Sequence, residues 1–297
     1  MDKLVEREDA TRNVAAPALA VQFFLIPLAV VAITVTVYVG FRSLLSADDR
    51  KSQDYLAEIR NGSSDRRWPA AYELSRLMVD PKVRADRTLA PALVKAFQES
   101  KGDPRVRRYL ALAIGRMDPL LPADAVADLT HALDDPDGET RISVIWALGS
   151  SGDPAVVAAL VPLYASPASD AGVRKMVVYA LGALPGLAQV TTLRTALQDS
   201  EPDVRWNAAV ALARHGSHDG VPVLGQMLDR QYVEQTVKRD VRQDGDQDPI
   251  ADVMISALRA AATLNDAALR VSVANLSQQD RSLRVRQAAI EALKAIG

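Results

Sequence analysis

Asp244, Asp246 and Asp248 are the residues whose type and spacing come nearest to chemistry, because alternating carboxylates in a loop surround a hard divalent cation with oxygen. A twelve-residue calcium loop then wants Gly where Pro249 stands and a bidentate Glu where Ile255 stands, and neither is present. The competing reading is a solvated acidic turn that caps the next helix. His215, His218 and Asp219 form a second cluster, whose i,i+3 spacing can bring two imidazoles together but leaves zinc short of ligands. Gly149-Ser150-Ser151-Gly152 lacks the spacing of a nucleophile elbow, and the sequence has no phosphate-cradling glycine loop and no His-Glu-x-x-His helix. With no Cys in 297 residues, thiolate metal sites, iron–sulfur clusters, disulfides and cysteine nucleophiles are excluded. The expectation is a protein with no catalytic residue, no cofactor and, unless the 244–248 acids take calcium, no metal.

Charge points the same way. Lys and Arg number 35 against 37 Asp and Glu, a formal net charge of −2, so nothing draws the chain as a whole to a polyanion and nucleic acid is not expected as a partner.

The remaining charged pattern is regular. Arg occupies one recurring slot at Arg67, Arg107, Arg141, Arg174, Arg205 and Arg286, and six residues later stands Ala113, Ala147, Ala180, Ala211 or Ala292. Ile114, Leu148, Leu181, Leu212 or Leu293 follows directly, and only the first unit departs, with Glu73 before Leu74. Met254 fills the Arg slot of one more unit, followed by Ala260 and Ala261, which makes seven. Ahead of most slots lies an apolar helical face of its own: Leu93, Val94 and Phe97; Leu129 and Leu133; Val157, Leu160 and Leu163; Leu193 and Leu197; Leu224 and Leu228. Each unit is therefore a helix–turn–helix pair that cannot bury its apolar face alone and must stack on its neighbours.

The openings of the second helices, Asp103-Pro104-Arg105-Val106-Arg107 in full and Glu201 to Arg205 nearly so, each run into an Ala-Leu stretch. This pattern resembles the HEAT repeat, over about residues 52–297. The resemblance implies an all-α chain, an α-solenoid of about seven helical hairpins that binds other proteins. Small Ala lets helices approach, and the acid-Pro start caps the second helix. The recurring Arg107, Arg141, Arg174, Arg205 and Arg286 read as a structural ladder of charge-assisted hydrogen bonds to acids of neighbouring repeats, the alternative being a basic stripe for a partner. Trp68 and Trp206, each next to such an Arg, read as packing residues. The resemblance also opens an enzymatic alternative, since HEAT-like chains include bilin lyases and DNA glycosylases.

One irregularity breaks the repeat, an insertion at about 231–249 in the sixth unit. Val233, Val237 and Val241 fall on one helical face and Lys238, Arg239 and Arg242 off it, an amphipathic segment suited to docking on its own solenoid or on a partner. If a partner contact has to be placed, these six residues are where the sequence places it.

Ahead of the repeats, no charge occurs from Asn13 to Phe41. This predicts a short tail (1–17), a single transmembrane helix (18–41), a juxtamembrane linker (42–51) and the solenoid (52–297). The apolar run is too long for a signal peptide, and the tail lacks a basic n-region. Arg42, Arg50, Lys51 and Arg60 against Lys3, Arg7 and Arg12 favour the solenoid on the cytoplasmic side. The expected function is a membrane-anchored scaffold that recruits a protein partner and takes no small-molecule substrate, with a calcium-responsive module as a further alternative.

Overall fold

The structure is a computed structural model that describes residues 26–45, 50–117, 121–237 and 248–296. They fall into two bodies, within Met1–Lys51 and within Ser52–Gly297.

Among the described residues the first contains one helix, α1 (Ile26–Leu45). Its uninterrupted apolar part, Ile26 to Phe41, is about 24 Å long at 1.5 Å per residue, against a hydrocarbon core of about 30 Å. Among the described residues no helix is long and apolar enough to cross a membrane. The expected transmembrane helix 18–41 is not shown: α1 overlaps it only from Ile26 to Phe41 and runs on past Arg42 to Leu45, and residues 18–25, like the tail 1–17, lie outside the described residues.

The second body is entirely helical among the described residues. Seven hairpins follow in order: α2 (Ser52–Asn61) with α3 (Ser64–Leu77); after a one-turn α4 (Pro81–Arg84), α5 (Leu89–Glu99) with α6 (Pro104–Ile114); α7 (Ala123–His131) with α8 (Gly138–Ser150). Then come α9 (Val157–Ala165) with α10 (Ala171–Ala183) and α11 (Val190–Ala196) with α12 (Pro202–Arg214). In the sixth, α14 (Arg230–Thr236) stands between α13 (Val221–Met227) and α15 (Pro249–Leu264); the seventh pairs α16 (Ala267–Gln279) with α17 (Leu283–Ala295). The second helices α3, α6, α8, α10, α12, α15 and α17 form a row, each packed on the next, and this row is the spine of an α-solenoid.

Local chemistry starts these helices. Asp103, Asp137, Asp170 and Asp248 each accept a backbone N–H in the first turn of the helix that follows. Glu201 makes no such side-chain bond, so the expected acid cap is an aspartate device here and the longer side chain does not share it.

What sets the stacking distance is a pair, not Ala alone. A Cβ built on Gly115 would lie 2.6 Å from Ala147 Cα, one on Gly149 would lie 2.7 Å from Ala180 Cβ, and one on Gly182 would lie 2.5 Å from Ala211 Cβ. At these three steps the Ala slot therefore rests against the glycine two residues past the Ala slot of the preceding repeat. Ser75, Ala213 and Ala262 occupy that glycine's place in the first, fifth and sixth units, so those steps carry a side-chain carbon where the three between them carry none. At the first unit Glu73 fills the Ala slot, 3.4 Å from Arg76, and at the last exposed Lys294 fills the glycine slot. A charged side chain at each stacking face is how a repeat array closes its ends.

Candidate interaction surface

Of the sequence-derived partner and acidic residues of the insertion, Val233, Val237 and Asp248 are described. Val233 is fully buried in the solenoid's own core and Val237 packs against that core. Helix α14 stops at Thr236, and Val237 is already extended at φ −69° and ψ 115°. The valine stripe therefore does not run on as a described helix, and Val233 offers a partner no apolar area. Lys238, Arg239, Val241, Arg242, Asp244 and Asp246 lie outside the described residues. Asp248 spends its carboxylate on the Ala251 N–H, as the cap of α15. His215 turns to the Leu181 carbonyl, 3.2 Å from its Nε2, while His218 Nδ1 lies 2.6 Å from Asp266, so the two imidazoles serve different partners. Among the described residues no group of three or more His, Asp or Glu is arranged to hold a metal.

The arginine slots share one geometry. Arg107 donates from Nη1 to the Phe97 carbonyl, Arg141 to that of Asp135, Arg174 to that of Ser169, Arg205 to those of Asp199 and Ser200, and Arg286 to that of Asp280. These carbonyls end the first helix of each hairpin or lie in the turn after it, where backbone acceptors lack helical partners. In some units the guanidinium also reaches forward one repeat. Arg107 Nε bonds Asp135 at 2.8 Å, both groups less than a tenth exposed, and Arg174 grips Asp199 through two bonds of 2.9 and 3.0 Å. Between the sixth and seventh units Arg230 of α14 supplies the same fork to Asp280, at 2.8 and 2.6 Å. Among the described residues Arg141 has no such forward partner, because Ala168 stands where Asp135, Asp199 and Asp280 stand, six residues before the next slot.

Electrostatics follow from these contacts. Burial alone would push the Asp199 carboxyl up; the Arg174 fork, the Glu201 N–H and the Tyr164 hydroxyl outweigh it and bring it down to about 2. Tyr164 moves the other way, up to about 12, through burial first and its bond to Asp199 second. The fork from Arg108 holds Asp137 well below the usual carboxylate range. The slots are thus spent inside the protein, and their paired guanidinium edges are not open to a partner.

A surface does emerge on the solvent side of the spine. Five residues after the Arg slot stand Tyr72, Trp146, Tyr179 and Val210, and arginines lie over several of the aromatic rings. Arg105 sits 5.4 Å from the Trp68 ring, Arg116 5.6 Å from Trp146 and Arg214 5.9 Å from Tyr179, each bridging adjacent second helices. Tyr72 and Tyr109 meet edge to face at 5.2 Å.

Over α10, α12 and α15 this face opens into a groove of about 630 Å³, with Trp206, Val210, Val253 and the sequence-predicted Val237 among its apolar lining and Tyr179 and Arg214 beside them. Trp206 is 4% exposed, and its indole N–H has no acceptor among the described residues. The ion pairs Lys175–Asp203, at 2.6 Å, and Arg284–Asp252, at 2.7 Å, cancel most of the rim charge. Sequence reading missed Tyr179, Val210 and Arg214 as surface residues. The signal that locates the first two is the recurrence of large apolar or aromatic side chains at one slot of the second helix that the core does not need.

Against known proteins, the family model described as HEAT repeats matches residues 90–182 and 165–243. The chain belongs to the HEAT-repeat family. No curated protein sequence matches it. Among solved structures the HEAT solenoid is similar to a chain of the complex of CpcE and CpcF of phycocyanin lyase from Nostoc sp. PCC7120. Identity there is 17%, with 84% of this chain and 96% of that one covered, at a TM-score of 0.53. It also aligns with human deoxyhypusine hydroxylase in complex with glycerol (17% identity, 81% and 84% covered, TM-score 0.36). A designed armadillo repeat protein aligns as well (14% identity, 83% and 100% covered, TM-score 0.37). At these identities the likeness to the phycocyanin lyase chain is one of fold.

Proposed function

We propose that this HEAT protein is a membrane-attached, non-catalytic scaffold whose second-helix face receives a partner protein. The observation that carries the reading is the groove of about 630 Å³ over α10, α12 and α15, where aromatic and aliphatic side chains meet a few polar groups, as at recognition sites generally. Tyr179 is 39% exposed at its edge, a large amphipathic side chain of the kind that anchors protein interfaces.

Attachment to the membrane is supported by α1. Leu28, Val30, Val31, Ile33, Val35, Val37 and Tyr38 are each more than half exposed on one helix, and a helix apolar all round is not stable against water. Together with the uncharged sequence from Asn13 to Phe41, this favours insertion, with the solenoid on the cytoplasmic side by the count of flanking basic residues. Digestion of the solenoid by protease added outside intact cells would reverse that orientation.

The scaffold reading is tested by affinity purification from detergent-solubilised membranes, comparing wild type with Tyr179→Ala. A stoichiometric protein should accompany wild type and be lost from the variant at an unchanged melting temperature. Equal recovery from both, or recovery of a bilin or nucleic acid in place of a protein, would sink the scaffold.

A further inference from the structure

We infer that the edge of the first two hairpins built around α4 lies on the anionic headgroup surface of the membrane, with Val79, Lys82 and Arg87 in contact with it. The inference rests on the reading that α1 attaches the chain to a membrane, and adds which edge of the solenoid meets the lipid and which lipids hold it.

The sequence sets this place apart. From Arg67 to Arg107 the recurring slot advances 40 residues, whereas the next three steps are 34, 33 and 31. The extra length lies between α3 and α5, where residues 78–88 carry α4, while the links that follow α8, α10 and α12 take six residues each. Val83 packs against the core and fixes the insertion, yet Val79 is 70% exposed. Lys82 and Arg87 are exposed as well and have no ion-pair partner among the described residues. The two acids of the insertion are engaged by the chain itself: Asp80 accepts the Lys82 N–H, and Asp86 accepts the Thr88 N–H and hydroxyl. An apolar side chain flanked by unpaired long cations, whose stems and charged heads suit the boundary between acyl chains and headgroups, is the makeup of a lipid-surface contact.

Charge says what covers it. Over residues 50–117 Lys and Arg number 15 against eight Asp and Glu, whereas over 121–237 they number seven against 14. A chain with a formal net charge of −2 therefore concentrates its positive excess in the first two hairpins and the residues just ahead of them. An anionic leaflet attracts Lys and Arg that come within a Debye length of it, about 10 Å at 0.1 M salt. An acidic protein would satisfy the charge equally, but the excess sits at the end of the solenoid that follows the apolar run ending at Phe41, where a bilayer is already at hand.

Chain connectivity selects the edge. Helices α2 and α3 are antiparallel across the turn at Gly62 and Ser63, so the start of α2 and the end of α3 share one edge, and α4 follows α3 directly. Exposed Arg50 and Lys51, just ahead of α2, and Arg76, in the last turn of α3, add to the cations on that edge. The ten residues 42–51 between Phe41 and Ser52 span at most about 35 Å when fully extended. A membrane that holds α1 therefore keeps this edge within reach of its headgroups. The hairpin turns of α2–α3 and α5–α6 lie a helix length away on the other edge, about 15–20 Å at 1.5 Å per residue.

The test uses the full chain, which has no Cys, so that Ala85→Cys, exposed between Lys82 and Arg87, carries a single fluorophore. The labelled protein is reconstituted into vesicles of phosphatidylcholine alone or with about 30% phosphatidylserine, each containing lipid spin-labelled at the headgroup, and quenching of the fluorophore is read. Quenching should be at least about twofold greater with phosphatidylserine and should fall to the neutral-lipid level in about 1 M salt, where the Debye length is about 3 Å. Lys82→Glu/Arg87→Glu should lose the phosphatidylserine effect at an unchanged melting temperature, and Lys82→Gln/Arg87→Gln, which adds no repulsion, should fall between. A label at Ala168→Cys, on the exposed turn between α9 and α10, should respond alike in both vesicles. Equal quenching of the Ala85 label in the two vesicles, or a phosphatidylserine effect that survives charge reversal or high salt, would overturn the inference. A chain that floats with both vesicles but shows no phosphatidylserine effect keeps its anchor and loses only this contact. One that floats with phosphatidylserine vesicles alone, and is quenched there, keeps the contact and loses the anchor.

Discussion

Replacing Gly182 by Ala sets two well-measured effects against each other. In an exposed helix interior the change stabilises by about 1 kcal/mol, because Ala loses less backbone entropy. In this helix the new methyl would sit 2.5 Å from Ala211 Cβ and 3.0 Å from Ala211 Cα, whereas carbon atoms rest at about 3.5–4.0 Å. Neither contact is the free end of a side chain, so α10 and α12 must part by about 1 Å at that point, against an optimum contact of about 3.5 Å. Around the contact Val177, Leu181, Val204 and Leu212 are fully buried and lose packing as the helices separate. Overpacking of this kind costs about 1–3 kcal/mol, and at a contact this short the upper half applies, so the net effect is a loss of about 1–2 kcal/mol. For a domain of this size that lowers the melting temperature by about 2–8 °C. Circular dichroism melts, with urea titrations as a second measure, read the effect. Gly102→Ala, in the turn between α5 and α6 where nothing lies within 4 Å, is the control for losing a glycine without a close contact. The double variant Gly182→Ala/Ala211→Gly restores the space and should recover about 1–2 kcal/mol relative to the sum of the single changes. A raised melting temperature for Gly182→Ala, or strict additivity in the double variant, would refute the close-approach argument.

Leu148→Ala and Leu181→Ala each remove a fully buried side chain from the same register and should each cost about 2–5 kcal/mol; equal melts to wild type in both would mean that the register is misassigned. Arg107→Ala leaves Asp135 buried without its partner and should cost about 3–5 kcal/mol. Arg205→Ala removes only donations to backbone carbonyls and should cost about 1–2 kcal/mol, so the reverse order by urea titration would contradict the geometry. Asp199 is held down at about 2 against about 3.9 unfolded, so its contribution is full above pH 4 and is lost as the pH falls towards 2, where the unfolded chain binds the proton first. The gap in melting temperature between wild type and Arg174→Ala should close across that window, and a gap independent of pH would exclude the assignment. Full-length protein should stay in the pellet after a carbonate wash of membranes while a chain beginning at Ser52 is soluble, and release of the full-length protein into the wash would remove the anchor.

Period, number and type of repeat were legible in the sequence, because a stacked helix pair imposes the same small, large and charged residues at the same slots, and seven copies make the pattern visible. The run into Ala-Leu was legible for the same reason. The glycine that follows it acquires a meaning only when the next repeat is placed on top, since what it avoids is an atom about thirty residues away. The arginine ladder was half legible. The slot could be read, but Arg230 serves Asp280 from outside the repeat register, and Arg141 lacks a forward acid because one turn carries Ala168 at that position. The valines of the insertion show the limit from the other side: their spacing fits a helix, yet burial of Val233 and the extended backbone at Val237 were decided by the neighbouring helices. The groove over α12 was not legible at all, because it is a gap between helices. Its lining is drawn from residues spread between Lys175 and Ser256, and only the distance between two stacked repeats, fixed by tertiary packing, makes them one surface.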